Sequence, residues 1–142
     1  MVSVMSEHSR AVVELADAIP ELKIVIDHMA KPNIAEKQWD DWADDMAELA
    51  KRPHVYVKHS GLNTASGAGW TAADWKPYLE HCLEHFGSSR MMMGSDWPVS
   101  LLNGDFVGVW SAQMESIEHL SESERDDICF NTADSFYQLG LA

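Results

Sequence analysis

Arg90-Met-Met-Met-Gly-Ser-Asp-Trp-Pro-Val99 is an apolar run that ends abruptly at a carboxylate, and its reading decides the fold. Met91 to Met93 have the bulk of a buried strand, Gly94-Ser95 thins the chain, and Pro98, which has no N–H to donate, ends the pairing. In folds built on parallel strands, the loops leaving the C-terminal tips enclose the pocket, so a carboxylate at such a tip is placed for chemistry. Asp96 is therefore the first candidate for a working residue. The alternative is a turn-capping aspartate, since Asp-X-Pro is an ordinary way to leave a strand.

Outward from this stretch the same pattern repeats. Lys23-Ile-Val-Ile-Asp-His28 and His54-Val-Tyr-Val-Lys-His59 are β-branched runs ending on polar residues, as strands covered on both faces do. Met1-Val-Ser-Val-Met5 reads as a shorter first strand. Helical spacing fills the intervals. Val12, Val13, Leu15, Ala16 and Ile19 recur before Pro20, while Trp39, Trp42, Ala43, Met46, Leu49 and Ala50 follow an Asn33-X-X-Glu36 capping box. Tyr78, Leu79, Cys82, Leu83 and Phe86 form a stripe between the start signals Thr71 and Asp74 and the stop Gly87, with Pro77 placed near the first turn. A helix over about Phe106 to His119 precedes a Ser121-X-X-Glu124 cap and a last segment ending near Leu139. Strand and helix thus alternate four times without a hairpin signal. The expectation is an α/β fold, with residues 1–142 forming a single domain of four consecutive parallel βα units. Periodicity leaves open whether the units make a doubly wound sheet or half of an eight-stranded barrel.

The formal charge of −13 and pI near 4.7 argue against nucleic acid or an anionic membrane as partner, because binding phosphate requires cations. A small-molecule substrate is the expected partner. Cys82 and Cys129 have no Cys-X-X-Cys spacing and read as reduced core thiols, in keeping with a cytoplasmic protein. Asp40, Asp41, Asp44, Asp45 and Glu48 lack the spacing and glycine of a calcium loop and read as a solvated helix face. His81 and His85 have the spacing of a zinc pair, but Glu84 does not complete a His-Glu-X-X-His motif.

Alternation along the strands sharpens the choice of site residues. Ile24, Ile26 and His28 share one side; Val55, Val57 and His59 oppose Tyr56, Lys58 and Ser60; Met92, Gly94 and Asp96 form a set. Helix-facing positions should be aliphatic, so Lys58 points inward with Ser60, and Asp96 has a small residue beneath it. His28, Lys58 and Asp96 are expected to converge at one rim, where Trp97 and Trp70 lie in tip loops able to wall a pocket.

Val25-Ile-Asp-His-Met-Ala-Lys-Pro32, Val57-Lys-His-Ser-Gly-Leu62, Lys76-Pro-Tyr-Leu-Glu-His81, Met93-Gly-Ser-Asp-Trp-Pro-Val99 and Asn131-Thr-Ala-Asp-Ser-Phe-Tyr137 together resemble the amidohydrolase superfamily. The resemblance is strongest to its lactonase-like branch, acting on sugar lactones and on lactones of aromatic breakdown. It implies a TIM-type (β/α)8 barrel of which this chain is the C-terminal half, beginning around strand five. It further implies that Asp96 is the general base that activates water, and that His28 contacts substrate or, in metal-containing relatives, a divalent metal such as zinc or manganese held with Asp96. Lys58, Ser60 and Trp97 are the expected substrate-binding residues. The His-X-His-type strand that opens such barrels has no counterpart. An uncovered half-barrel would expose strand edges and an apolar inner face, so the expectation is a homodimer or a complementary half-barrel. The other readings are a metal-dependent decarboxylase of an aromatic acid and a non-catalytic dimerisation module.

Overall fold

A computed structural model describes residues 8–141. Three parallel strands, β1 (Ile24–Ile26), β2 (Val55–His59) and β3 (Met91–Met93), lie in the order β1-β2-β3. Ile24 is paired with Val55, Val57 with Met91, and Lys58 with Met92. The opening run Met1 to Met5, expected as a further strand, lies outside the described residues, so three of the four anticipated strands are seen. No helix among the described residues is long and apolar enough to cross a membrane.

Helices α1 (Ser9–Ala18), α2 (Asp40–Ala50), α3 (Ala72–Phe86) and α4 (Phe106–Ser116) enclose one core. The strands are short and apolar, and β2 alternates in burial: Val55, Val57 and His59 are buried while Tyr56 and Lys58 are half-buried. Ile24, Ile26, Val55 and Val57 join Met46, Leu49, Trp75, Leu79 and Cys82 in the core cluster. The opposite, inner face carries Tyr56 and Lys58. It is met by the C-terminal helical run of α5 (Glu122–Asp126), a π-helical segment (Asp127–Asn131) and α6 (Thr132–Tyr137), with the Phe136 ring 4.9 Å from that of Tyr56.

At the N-terminal end of the sheet, Arg90 ties the elements together. Its guanidinium donates to the carbonyls of Ala50, Arg52, Val55, His85 and Phe86 at 3.0–3.2 Å, which satisfies the last turns of α2 and α3.

Three local expectations need correction. The Asn33 carboxamide does accept from the Glu36 N–H at 3.3 Å, but Lys37 at φ +52 turns the chain away, and α2 starts at Asp40. Pro77 lies inside α3 rather than in its first turn; both it and Ala73, whose carbonyl it leaves without a helical donor, are exposed, so water can serve that carbonyl. Cys82 is buried, its thiol pushed up by desolvation, whereas Cys129 is exposed and no core residue. The Thr71/Asp74 and Ser121/Glu124 capping boxes both form where expected.

Candidate active site

The site lies at the C-terminal tips of the three strands, where each exit passes through a left-handed residue: His28 after β1, Gly61 after β2 and Asp96 after β3, at φ +56, +64 and +53. Alternation continues through Asp27, which falls on the inner face and meets the Lys58 ammonium at 3.1 Å. It would then send His28 outward with Ile24 and Ile26. Instead His28, Met29, Ala30 and Lys31 all have φ between +50 and +58, a left-handed turn without a glycine. Such a conformation costs about 1–2 kcal/mol per residue, from the clash of Cβ with the following carbonyl. The turn brings the imidazole back over β2 and β3.

There its Nδ1 is 2.8 Å from the Ser60 hydroxyl, and its Nε2 is 3.5 Å from Asp96 Oδ1. A Cβ on Gly61 would stand 2.7 Å from His28 Nδ1 and 2.8 Å from Asp96 Oδ2, so this position needs glycine for both its backbone and its space. Asp96 Oδ2 is buried and has no hydrogen-bond partner among the described residues.

The second layer holds the tips in place. The Gln113 carboxamide on α4 donates to the carbonyls of His59 at 3.1 Å and Gly94 at 2.8 Å, pinning the ends of β2 and β3 together. The loops beyond are laced by Asn63 and Asn103, each donating to backbone carbonyls across the gap.

Burial holds the His28 pKa below its ordinary value; the Asp96 and Asp27 carboxylates oppose that effect, while Lys31 and Lys58 reinforce it. The imidazole is therefore neutral at neutral pH. With Ser60 donating its O–H to Nδ1, the ring proton sits on Nε2 and faces Asp96, the tautomer that avoids two lone pairs in opposition. For Lys58, burial works against the charge, but hydrogen bonds to Tyr137 and Asp27 outweigh it and raise the pKa.

A neutral imidazole aimed at a carboxylate with one free oxygen, on the tips of parallel strands, is an arrangement for moving a proton to or from water. The amidohydrolase family model matches residues 3–139. The chain is an amidohydrolase-family member. It is 39% identical over 140 residues to an L-fucono-1,5-lactonase of Burkholderia ambifaria, covering 96% of this chain and 48% of that one. An amidohydrolase from Burkholderia multivorans, solved with bound zinc, superposes with a TM-score of 0.89 at 34% identity, over 96% of this chain and 51% of its own. A putative 2-pyrone-4,6-dicarboxylic acid hydrolase from Pseudomonas putida gives 0.76 at 26% identity, over 94% and 50%. The chain thus spans about half the length of the curated relatives it matches, and about half of the barrels solved for this family.

Within this amidohydrolase half, the structure brings together His28, Ser60 and Asp96 and sets Lys58 beside them on Asp27. Ser60 is only 1% exposed, so its hydroxyl faces His28 and not solvent. That burial also sets it apart from a nucleophilic serine, which must present its oxygen to substrate. Trp97 is 63% exposed, and Trp70 is stacked on Trp75 with its indole N–H on the Asn103 carbonyl. His28 and Asp96 are two potential metal donors, and the described residues contain no group of three or more His, Cys, Asp or Glu placed to hold a metal ion. A catalytic zinc takes three protein ligands, so these residues alone do not make a metal centre. A groove of about 450 Å³ between α3 and α4, lined by Lys76, Glu115, Glu118 and His119, shares no residue with the strand tips.

Sequence reasoning missed Asp27, Gly61 and Gln113. Asp27 was legible in principle, since it pairs across from Lys58 on the inner face. Gly61 and Gln113 matter only through residues that are distant in sequence, and no local pattern announces them.

Proposed function

We propose that this chain carries the acid–base half of a lactone hydrolase, with Asp96 as general base. The observation that carries the reading is the buried, unpartnered Asp96 Oδ2 beside the neutral His28 imidazole. A carboxylate oxygen kept from both solvent and hydrogen bonds is costly unless it has a task. In the proposed reaction Asp96 takes a proton from water as the water oxygen bonds to the lactone carbonyl carbon. Charge grows on the carbonyl oxygen, where the His28 N–H can meet it. The ring C–O bond then breaks, and the departing alkoxide receives the proton from the Asp96 carboxyl, giving the open hydroxy acid. Ser60 holds the imidazole in its tautomer, and Lys58, neutralised by Asp27, offers a hydrogen-bond donor on the inner face. Trp97, exposed at the rim, is positioned to meet substrate as it enters. In a metal-containing form, zinc or manganese would polarise the lactone carbonyl, with His28 and Asp96 among its ligands and the others supplied from beyond the described residues.

The likeness to an L-fucono-1,5-lactonase supports a sugar lactone as substrate class. The half-length match supports completion of the pocket by a second copy or a complementary half-barrel. Phe106, Val107, Trp110 and Met114, exposed along α4, give such a partner an apolar surface to cover.

The test is hydrolysis of sugar and aromatic-derived lactones by wild type and Asp96→Asn, with and without added zinc or manganese. It is run over a protein concentration range in which mass in solution is followed. Asp96→Asn should lose about 10³-fold or more in kcat while its circular dichroism is unchanged. Retention of turnover by Asp96→Asn, or inertness of the wild type on every lactone at every concentration, overturns the reading.

A further inference from the structure

We propose that Trp42 is a positioning residue for His28: its indole N–H holds the left-handed turn that carries the imidazole from the helix side of the sheet to Asp96. Its role in turnover rests on the reading above; its role in geometry does not.

Continued alternation would place His28 among the helices, and only the four left-handed residues from His28 to Lys31 redirect it. Met29 and Ala30, in the middle of the turn, are not residues that favour this conformation. A strained segment persists only when its surroundings over-determine it. The Lys31 N–H to His28 carbonyl bond, at 2.8 Å, is internal to the turn and would accompany any tight reversal. Apart from the contacts of the imidazole itself, the turn receives from another element the bond of the Trp42 Nε1–H to the Met29 carbonyl, at 2.7 Å, which reaches across from α2. Met29 is 0% and Trp42 4% exposed, so water cannot replace that donor. The indole is itself fixed by the rings of Tyr78 at 5.0 Å and Trp39 at 5.4 Å. A rigid aromatic cluster on the helix side thereby decides where a site histidine points, without touching the site.

Two substitutions separate this role from ordinary packing. Trp42→Phe keeps an aromatic ring in the cluster and removes the N–H. Ala30→Gly lowers the cost of the left-handed backbone at φ +58 for the loss of one methyl group. The His28–Ser60 contact is read by imidazole nitrogen NMR or a crystal structure, and kcat and KM by lactone hydrolysis. Trp42→Phe should release His28 from Ser60 and lower kcat about 10–100-fold with KM changed less than about threefold. Adding Ala30→Gly should restore the contact and at least a tenth of wild-type kcat. If Trp42→Phe alone does not fold, recovery of the fold in the double variant supports the proposal. A His28 that stays on Ser60 in Trp42→Phe overturns it, as does a double variant no better than the single in contact or in fold. Should the wild type hydrolyse no lactone, the functional reading fails while the contact measurement still decides the positioning role.

Discussion

Arg90 and Asp96 stand at the two ends of strand β3 and live in opposite conditions. Around Arg90, five backbone carbonyls from α2, the turn that follows it, β2 and α3 all receive donors from one guanidinium, and the φ angles of Arg90 and its β3 neighbours lie outside the left-handed region. Around Asp96, six residues adopt left-handed backbone, namely His28, Met29, Ala30, Lys31, Gly61 and Asp96 itself, and the Asp96 Oδ2, Asn63 Oδ1, Ser100 Oγ and Gln113 Oε1 atoms are buried without partners among the described residues. One end of the sheet is satisfied; the other holds strain and free polar atoms. In parallel barrels the N-terminal end serves stability and the C-terminal end chemistry, and the three strands described here show the matching contrast of a satisfied end and a strained one.

Substitutions at the two ends should break that contrast in different ways. The largest effect is expected from Gly61→Ala, whose methyl would have to displace His28 or Asp96. Hydrolysis should fall by about 10³-fold, roughly 4 kcal/mol in kcat/KM, with a smaller loss of thermal stability. Normal turnover in Gly61→Ala would mean that the two side chains need not hold this geometry. At the other end, Arg90→Met should lower unfolding free energy by about 3 kcal/mol, the scale of two charge-assisted hydrogen bonds, with kcat unchanged. A kcat effect larger than the stability effect would erase the division between the ends.

The smallest effect concerns His59, between the two regions on β2 and fully buried. Its Nε2–H donates to Ser116 Oγ at 2.9 Å, while Nδ1 has no partner among the described residues. Burial pushes its pKa down from 6.5 to about 4, with the Gln113 backbone opposing that shift. Because the folded value lies below the unfolded one, the unfolded chain takes up the proton first as pH falls. Stability is full above about pH 6.5 and is lost toward about pH 4, amounting to about 2 kcal/mol by pH 5. Urea unfolding at pH 7 and pH 5 checks this, and His59→Gln should flatten the difference.

Much of this arrangement was legible along the chain. Asp96 was readable from an apolar run that halts at a carboxylate, and the inward Lys58 from β-branched residues on the opposite face of β2. The Thr71 and Ser121 caps were readable because their donors and acceptors lie within one turn. His28 was nominated correctly as a neighbour of Asp96, yet the strand pattern that nominated it places it on the helix side. The left-handed turn that resolves the conflict has no glycine to signal it, and the Asn33–Glu36 box, a good local signal, was overridden when the chain reversed at Lys37.

Periodicity and turn chemistry by themselves determined the alternation of strand and helix, the faces of β2 and the candidates at the strand tips, because each depends on side chains a few residues apart. Tertiary structure alone decided that His28 reaches Asp96, that position 61 admits no side chain, and that Ser60 faces the imidazole and not solvent. Those outcomes depend on groups from separate strands and helices meeting within hydrogen-bonding distance, which no short stretch of sequence encodes.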